Sequence, residues 1–222
     1  MITHLAIIAD GNRRWAKSQG LPTIEGHKKG LDAIRELTSA AGKAGVKFLT
    51  FYVFSTENWG RSADEVSYIM KLAETRILKY AEKLAAENAR MLILGSHERI
   101  SPKLASIIEQ AEKITADCTG ITVCFCFNYG GEQEIADAAK IASEVDGKIT
   151  PETIRSHLYH PEVPNIDMVV RTSGEQRISG FMLWRSAYAE FYFMKKYFPE
   201  MGGDDIQDIL AEYEKRNRRF GK

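Results

Sequence analysis

The chain has 222 residues, 44% of them hydrophobic, and its 30 Lys and Arg residues balance 30 Asp and Glu residues to a formal net charge of zero. This length and apolar content are ordinary for a globular protein with a real core, so we predict a single domain over residues 1–222. The neutral charge argues against a nucleic-acid-binding protein, because that class usually carries a basic excess.

The sequence also lacks the patterns of membrane and secreted proteins. No apolar run approaches the roughly 18 residues that a membrane span needs. The first residues do not form the basic region, apolar stretch and cleavage site of a signal peptide. We therefore expect a cytoplasmic protein, and contact with a membrane surface stays open.

Apolar runs typical of strands alternate with helical patterns along the chain. Such alternation implies right-handed crossovers and a parallel sheet covered by helices, so we predict an α/β fold with a mostly parallel central sheet. The predicted strands are Leu5–Ala9, Lys47–Phe54, Met91–Leu94, Ile121–Asn128 and Asp167–Arg171, with a short one near Phe191–Phe193. The predicted helices are Lys28–Ala44, Ala63–Asn88, Pro102–Asp117, Glu132–Glu144 and Asp204–Asn217.

The first predicted strand is followed at once by Asp10, Gly11, Asn12, Arg13, Arg14 and Trp15. Ligands of parallel sheets bind at the carboxyl ends of strands, and the amino end of the short helix predicted here favours phosphate. Arginine side chains add paired donors to phosphate oxygens. An acid among them would repel a phosphate unless a divalent cation joined the two, as Mg²⁺ commonly does. Helix capping by Asp10, with solvated arginines, explains the pattern equally well at this point.

A second polar loop follows the strand Lys47–Phe54 and leads into the longest predicted helix. The loop contains Ser55, Glu57, Asn58, Trp59 and Arg61. One face of the helix is apolar along its length, at Val66, Ile69, Met70, Ala73, Ile77, Tyr80, Ala81 and Leu84. Such a stripe packs against a core or forms the wall of a cavity for an apolar ligand.

The cysteines are interpreted as structural residues. Cys124 and Cys126 alternate with Val123, Phe125 and Phe127, so the two thiols should share one face of a buried strand. An odd number of cysteines argues against a disulfide framework, and no second ligand pair with zinc-site spacing is present.

The strand Asp167–Arg171 ends in another group of cations and hydroxyls, namely Arg171, Thr172, Ser173, Arg177 and Ser179. We interpret this group as a second anion site at the carboxyl end of a strand. Glu190 lies in an aromatic segment, where an unpaired charge would be costly, so it needs a metal, an arginine or another ion-pair partner. The three loops and the apolar helix indicate a ligand that is phosphorylated at one end and apolar at the other.

The stretch DDIQD, Asp204–Asp208, matches an aspartate-rich motif of the all-helical trans-prenyltransferases. Those enzymes need two such motifs facing each other, and this sequence has one. Acidic residues are favoured at the amino end of a helix by its dipole. We therefore predict that these acids only begin a helix.

Seven stretches, in order over nearly the whole chain, resemble the cis-prenyltransferases, the family typified by undecaprenyl diphosphate synthase. They are HLAIIADGNRRWAK, GH at Gly26–His27, FSTENWGR, NYGG, RTSGEQRISGFMLW, AYAEFYF and RRFG. The resemblance implies a parallel sheet flanked by helices, with a hydrophobic tunnel, usually in a homodimer. It also implies a reaction that joins isopentenyl diphosphate to an allylic prenyl diphosphate, forms a cis double bond and uses Mg²⁺.

The resemblance further implies roles for individual residues. Asp10 would engage Mg²⁺ and the allylic diphosphate, Asn58 would serve the proton-removal step, and Glu190 would be a second metal carboxylate near the dimer interface. The rest of the allylic site would comprise Gly11, Asn12, Arg13, Arg14, Trp15 and His27. A mobile loop would add Ser55, Thr56, Glu57, Trp59 and Arg61. The isopentenyl diphosphate site would comprise Arg171, Arg177, Ile178 and Ser179. The tail at residues 218–221 would reach the diphosphate of a partner subunit.

The sequence departs from the family pattern at Ala9, Thr23, Val53, Gln176 and Gly180. Thr23 stands where the family often has an arginine for the allylic diphosphate. Val53 is bulkier than the alanine often found there and is expected to narrow the tunnel. These departures leave the allylic substrate and the product length open. Irregular head-to-middle coupling of the lavandulyl type and a non-catalytic partner subunit stay as alternative functions.

Overall fold

Six strands form one wholly parallel sheet in the computed structural model of the chain, which describes residues 2–216. The strands are β1 (His4–Ile8), β2 (Phe48–Ser55), β3 (Arg90–Leu94), β4 (Thr122–Tyr129), β5 (Met168–Arg171) and β6 (Glu190–Phe193). Their order across the sheet is β3-β4-β2-β1-β5-β6. The helices are α1 (Asn12–Ser18), α2 (Thr23–Lys43), α3 (Ala63–Ala86), α4 (Pro102–Ile114), α5 (Gly131–Ile141), α6 (Pro151–Ser156) and α7 (Gly203–Glu214). The predicted fold class and all six predicted strands are confirmed.

Two apolar clusters cover the two faces of the sheet. In β4, Phe125 belongs to the cluster that includes residues of α2, α3, α4 and α7. Cys124 and Cys126 belong to the opposite cluster, and both thiols are free. The alternation of β4 across the sheet therefore confirms the prediction that the two cysteines share one buried face.

Helix α2 begins earlier than predicted, at Thr23 instead of Lys28. Its additional turn packs against α1 so closely that a Cβ at Gly26 would lie 2.0 Å from the carbonyl oxygen of Asn12. Glycine is required by this contact but is a poor helix former, so it weakened the helical pattern of the sequence. The contact places the first turns of α2 beside the loop that follows β1.

Other helix ends differ from the prediction by a few residues. Helix α4 stops at Ile114, and α5 stops at Ile141, where one π-helical turn, Ala142–Asp146, continues it. The predicted end of the last helix, at Asn217, lies outside the described residues.

Strand β3 lies at one edge of the sheet, and side chains of the segment that includes α4 cover its free backbone groups. The Met91 N–H donates to the Thr115 hydroxyl at 2.9 Å, and the Ile93 N–H donates to Glu112 Oε1 at 2.6 Å. Edge strands with unpaired N–H groups are prone to pair with other chains, so these bonds protect the sheet.

Two adjacent strands, β1 and β5, position the loops that carry Asp10 and Arg171. In the register of the central strands, Ile8 of β1 lies beside Arg171 of β5. The loops that leave these two strands therefore start side by side at the carboxyl edge of the sheet. Residues far apart in sequence, such as Asp10 and Arg171, meet there.

Candidate active site

The backbone of Asp10 is fixed by a neighbouring strand. The Thr172 hydroxyl accepts a hydrogen bond from the Asp10 N–H at 2.9 Å and donates one to the Asp10 carbonyl at 2.6 Å. The next residue, Gly11, has φ +103°, and a Cβ there would lie 2.2 Å from Ser173 Oγ. Only glycine fits this conformation and this close approach. Thr172 was not predicted as a residue that orients Asp10.

The carboxylate of Asp10 lies between two arginines. Oδ1 accepts from Arg14 at 3.1 Å, and Oδ2 accepts from Arg171 at 2.9 Å. Burial by itself raises the pKa of Asp10, but the hydrogen bonds and charges of Arg171 and Arg14 outweigh it and hold this pKa below its usual value. Asp10 is therefore ionised at neutral pH. The arrangement confirms the predicted proximity of an acid and arginines.

A carboxylate that the sequence analysis missed joins the two predicted anion sites. Glu175 accepts from Arg14 at 2.8 Å and from Arg177 at 2.6 Å. Its position between cations in RTSGEQR is the signal that could have identified it. The first and second anion sites are thus one continuous network, with Asp10 and Glu175 as its anions.

Arg171 is the buried cation of this network, and it also orders the loop after β5. Its Nη1 donates to the Arg177 carbonyl at 2.5 Å and to Ser179 Oγ at 3.0 Å. Arg171 and Ser179 are therefore brought together as predicted. Ile178 is half-buried and packs partly against an apolar cluster.

Four buried side-chain atoms around this network have no hydrogen-bond partner among the described residues. They are Asn12 Oδ1, His27 Nε2, Arg171 Nε and Ser173 Oγ. A buried polar atom left unpaired typically costs about 1–3 kcal/mol, so such atoms are rare. Their concentration at one edge of the sheet indicates a site built for a polar ligand.

Glu65, near the start of α3, was also missed. It lies 3.0 Å from Arg61, 3.6 Å from Arg13 and 3.8 Å from His27 Nε2. The last distance is too long for a hydrogen bond. Burial, and next the charge of Arg61, lowers the pKa of His27, so its imidazole is neutral at pH 7.

Two adjoining pockets lie next to these side chains. A polar pocket of about 810 Å³ is lined by Asp10, Gly11, Asn12, Arg13, Arg14, Thr23, His27 and Arg61, among others. A mostly apolar pocket of about 450 Å³ lies between α2, α3 and the sheet. Both are lined by Ala9, Asn12, His27 and Val53, so the two pockets lie side by side. Val53 lies at the junction, where its predicted narrowing effect would act.

The apolar pocket corresponds to the predicted tunnel. It is lined by α3 from Ile69 to Lys83, which is about 20 Å of helix. Four residues of the predicted apolar stripe line it, namely Ile69, Ala73, Ile77 and Tyr80. Ala81 and Leu84 are instead buried in the core. The apolar stripe of α3 therefore forms a pocket wall along one part of the helix and packs into the core along another part.

Residues 55–59 do not line either pocket in the described structure. They form a short 3₁₀ helix, Thr56–Gly60, in which Asn58 Oδ1 accepts from the Ser55 N–H at 3.2 Å. Trp59 Nε1 donates to Asn128 Oδ1 at 2.7 Å. The roles given to Ser55, Thr56, Glu57, Asn58 and Trp59 stay predictions, as does that of Trp15, which also lies outside both linings.

Glu190 is placed at the opposite end of the sheet from Asp10. It lies beside Met168, which in turn lies beside Leu5, three residues before the end of β1. That separation is at least about 10 Å along the strands, so Asp10 and Glu190 of one chain cannot share a metal ion. Glu190 is 3.3 Å from Arg216, the salt bridge that its burial required.

The described part of the chain contains neither a cluster of metal-ligating side chains nor a membrane-spanning helix. No group of three or more His, Cys, Asp or Glu residues is arranged there to hold a metal ion. None of its helices has the length and apolarity needed to cross a bilayer. The predicted tail motif at residues 218–221 lies outside the described residues.

The acids of DDIQD begin a helix, as predicted. Asp205 accepts from Lys196 Nζ at 2.8 Å and from the Gly202 N–H at 2.7 Å, at the amino end of α7. This carboxylate is therefore part of a helix start.

Comparisons with known proteins identify relatives of the whole chain. The model of the prenyltransferase family described as undecaprenyl diphosphate synthase matches residues 8–221. An isoprenyl transferase of Neisseria meningitidis serogroup B is 44% identical over 99% of this chain and 89% of its own length. An isoprenyl transferase of Thermotoga maritima is 43% identical over 98% of this chain and 96% of its own length.

Two solved structures are also similar. Lavandulyl diphosphate synthase from Lavandula x intermedia, in complex with dimethylallyl diphosphate, is 34% identical with a TM-score of 0.93 and coverage of 100% and 98% of the two chains. A probable undecaprenyl diphosphate synthase from Campylobacter jejuni is 29% identical with a TM-score of 0.86 and coverage of 100% and 99%.

Proposed function

Because this chain belongs to the undecaprenyl diphosphate synthase family of prenyltransferases, we propose that it condenses isopentenyl diphosphate with an allylic prenyl diphosphate to form a cis-polyprenyl or short-chain cis-prenyl diphosphate. One observation carries the proposal: the polar pocket with Asp10, Arg13 and Arg14 adjoins an apolar pocket between α2, α3 and the sheet, and the two share four lining residues. That arrangement fits a substrate with an ionic head and an isoprenoid tail.

The two diphosphates would bind at the two parts of the arginine network. Arg13 and Arg14, with the amide groups at the start of α1, would hold the allylic diphosphate. Arg177 and Ser179, ordered by Arg171, would hold isopentenyl diphosphate. Binding would move Arg14 and Arg177 from Glu175 to phosphate oxygens. Adjacent sites place the alkene next to the allylic carbon and so reduce the entropy cost of the reaction.

In the reaction, the alkene of isopentenyl diphosphate forms a bond to the allylic carbon as the bond from that carbon to the diphosphate oxygen breaks. A proton leaves the new chain, and inorganic diphosphate departs. Negative charge grows on the leaving oxygen, so cationic donors that contact the bound diphosphate stabilise the transition state. Arg13 and Arg14 supply these donors. Asn58 as the residue of proton removal stays a prediction.

Asp10 suits a magnesium ion that arrives with the diphosphate. Its carboxylate is ionised, lines the polar pocket and would supply the one protein ligand that Mg²⁺ often takes beside phosphate oxygens. The ion would neutralise charge on the diphosphate. We propose this magnesium dependence with Asp10 as the ligand from this chain.

A homodimer forms part of the proposal. Strand β6 lies at an edge of the sheet, with a half-buried aromatic segment and no neighbour on its outer side within the described residues. Glu190, which lies too far from Asp10 of its own chain, would act near the dimer interface. Arg216, its partner within the chain, would then exchange contacts with the second subunit.

The test is a product assay with labelled isopentenyl diphosphate, Mg²⁺ and a panel of allylic diphosphates, with chain length and branching determined by mass spectrometry and NMR. We expect linear cis products that lengthen by one isoprene unit at a time. A single branched product would replace the proposal with lavandulyl-type coupling, for which the similar lavandulyl diphosphate synthase structure is the reason to look. No product with any primer would favour a non-catalytic partner subunit.

A further inference from the structure

The rim of the apolar pocket carries an excess of positive charge that the chemistry above does not use. Exposed residues of both α2 and α3 line this pocket, so it reaches the surface between the two helices. Five exposed cations lie there: Lys28, Arg35, Arg76, Lys79 and Lys83. Asp32 is the acid that lines the same pocket. We call these five cations the tunnel rim.

The tunnel rim has a regular construction on both helices. On α2, Ile24, Lys28, Leu31 and Arg35 follow one another at helical spacing. On α3, Leu72, Arg76, Lys79 and Lys83 repeat the same spacing. Residues at such spacing lie on one face of a helix, so the α2 face alternates apolar and basic side chains, and the α3 face carries three basic side chains after Leu72. Ile24 and Leu31 are each 38% exposed, and the neighbouring Leu21 is 43% exposed.

Most of these cations have no counter-ion among the described residues. Lys28 pairs with Glu25 at 2.6 Å. Arg35, Arg76, Lys79 and Lys83 form no ion pair within 4.0 Å in the part of the chain that the structure describes. The whole chain has a net charge of zero, so this concentration of unpaired cations is a local feature. It lies where the apolar pocket meets solvent.

We propose that the tunnel rim docks onto an anionic lipid bilayer. The inference rests on the proposed function, because a growing prenyl chain in the pocket is too apolar to leave into water. Each cation near an anionic membrane surface adds to the attraction, and exposed Ile24 and Leu31 would enter the headgroup region beside them. Nucleic acid would satisfy the charges but not the interleaved leucine and isoleucine side chains, so a bilayer is the better match.

The test is co-sedimentation of the full chain, without substrates, with two kinds of vesicle: phosphatidylcholine alone, and equal parts of phosphatidylcholine and phosphatidylglycerol. The variant is Arg76→Gln/Lys79→Gln/Lys83→Gln. The matched control is Lys113→Gln/Lys140→Gln/Lys148→Gln, which removes the same charge from exposed positions elsewhere. Glutamine is a good helix former, so these exposed changes should leave the helices intact, and circular dichroism verifies this.

We expect the wild type to bind the phosphatidylglycerol vesicles and to release them as salt rises. The tunnel-rim variant should partition about a hundredfold more weakly, since three cations are lost, while the control binds like the wild type. Equal binding to both vesicle types, no binding, or equal loss in both variants would overturn the proposal. The assay contains no substrate, so its failure leaves the condensation assay intact, and a failed condensation assay leaves this result intact.

Discussion

Two arginine–carboxylate networks in this protein differ in how fully their polar groups are paired by hydrogen bonds. In the closed network, Arg185 donates to Glu134 at 2.7 Å, and both side chains are 1% exposed. Nε of Arg185 donates to the Val163 carbonyl, and Nη2 donates to the carbonyls of Tyr159 and His160; Glu134 also accepts from the Tyr129 hydroxyl. In the open network around Asp10, Arg171 Nε and Ser173 Oγ are buried and have no hydrogen-bond partner within residues 2–216.

The difference separates a structural site from a ligand site. Both networks have buried arginine and a carboxylate, so residue type alone does not distinguish them. In the closed network all three side-chain nitrogens of Arg185 donate hydrogen bonds, which fixes segments 157–166 and 181–186 against α5. In the open network, Asp10 and Arg14 line a polar pocket, and a diphosphate bound beside them would supply the partners that Arg171 Nε and Ser173 Oγ lack among the described residues.

Breaking the closed network should have the largest effect on stability. Arg185→Leu leaves the Glu134 carboxylate buried without its cation, so the free energy of unfolding should fall by about 3–5 kcal/mol. Arg90→Leu is the control, because the Arg90–Glu162 pair is exposed and should contribute less than about 1 kcal/mol. Denaturant unfolding measures both. Similar small losses in the two variants would remove the distinction between the networks.

Breaking the open network should instead reduce turnover. Asp10→Ala should lower the rate of condensation by at least roughly 10²–10³, because it removes the carboxylate proposed to hold Mg²⁺ on the leaving diphosphate. The fold should persist by circular dichroism. Asp208→Ala, in the exposed part of DDIQD, is the control and should keep normal turnover. Near-normal turnover of Asp10→Ala would refute the mechanism.

Two isosteric changes sharpen the comparison further. Thr172→Val removes the hydroxyl that fixes the Asp10 backbone, so turnover should fall about tenfold while stability falls by about 1–3 kcal/mol. Thr50→Val removes a buried hydroxyl that bonds His4 Nε2 at 2.7 Å, far from the polar pocket. It should cost similar stability and leave turnover unchanged. Steady-state kinetics and unfolding on both variants decide whether the Thr172 effect is specific.

The smallest expected effect is a change of stability with pH. It comes from the partly exposed imidazole of His160, which lies beside Glu112 and Glu162 near the β3 edge. Burial by itself lowers the pKa of His160, but Glu112 and then Glu162 outweigh it, so the pKa lies above its usual value. A raised folded-state pKa means that the imidazolium stabilises the fold below the unfolded pKa of about 6.5 and that this contribution disappears as pH rises through the folded pKa.

The variant His160→Gln tests the direction in which this contribution to stability changes with pH. The difference in unfolding free energy between wild type and variant should be under about 1 kcal/mol at about pH 6, because the pair is partly exposed, and should shrink towards about pH 9. A difference that grows with pH would show that the neutral imidazole is the stabilising form.

Much of the fold and part of the site could be predicted from the sequence. Strands buried on both faces are continuous apolar runs, so β1 to β5 were readily found, and their carboxyl ends located Asp10 and Arg171. Glu65 and Glu175 were missed, and Thr172 was assigned to the second anion site without its role in holding Asp10, because only tertiary packing shows their contacts with arginines or the Asp10 backbone. The pattern also could not show that Glu190 lies at the other end of the sheet, since that depends on strand register.

The most direct test of the central claim is calorimetric titration of isopentenyl diphosphate, in magnesium buffer, into the wild type, Arg177→Gln and Arg90→Gln. If the open network is the diphosphate site, Arg177→Gln loses a charged hydrogen bond and should bind about 10–100-fold more weakly. Arg90→Gln, on the far edge of the sheet, should bind like the wild type. Wild-type affinity in Arg177→Gln, or the same loss in both variants, would contradict the account.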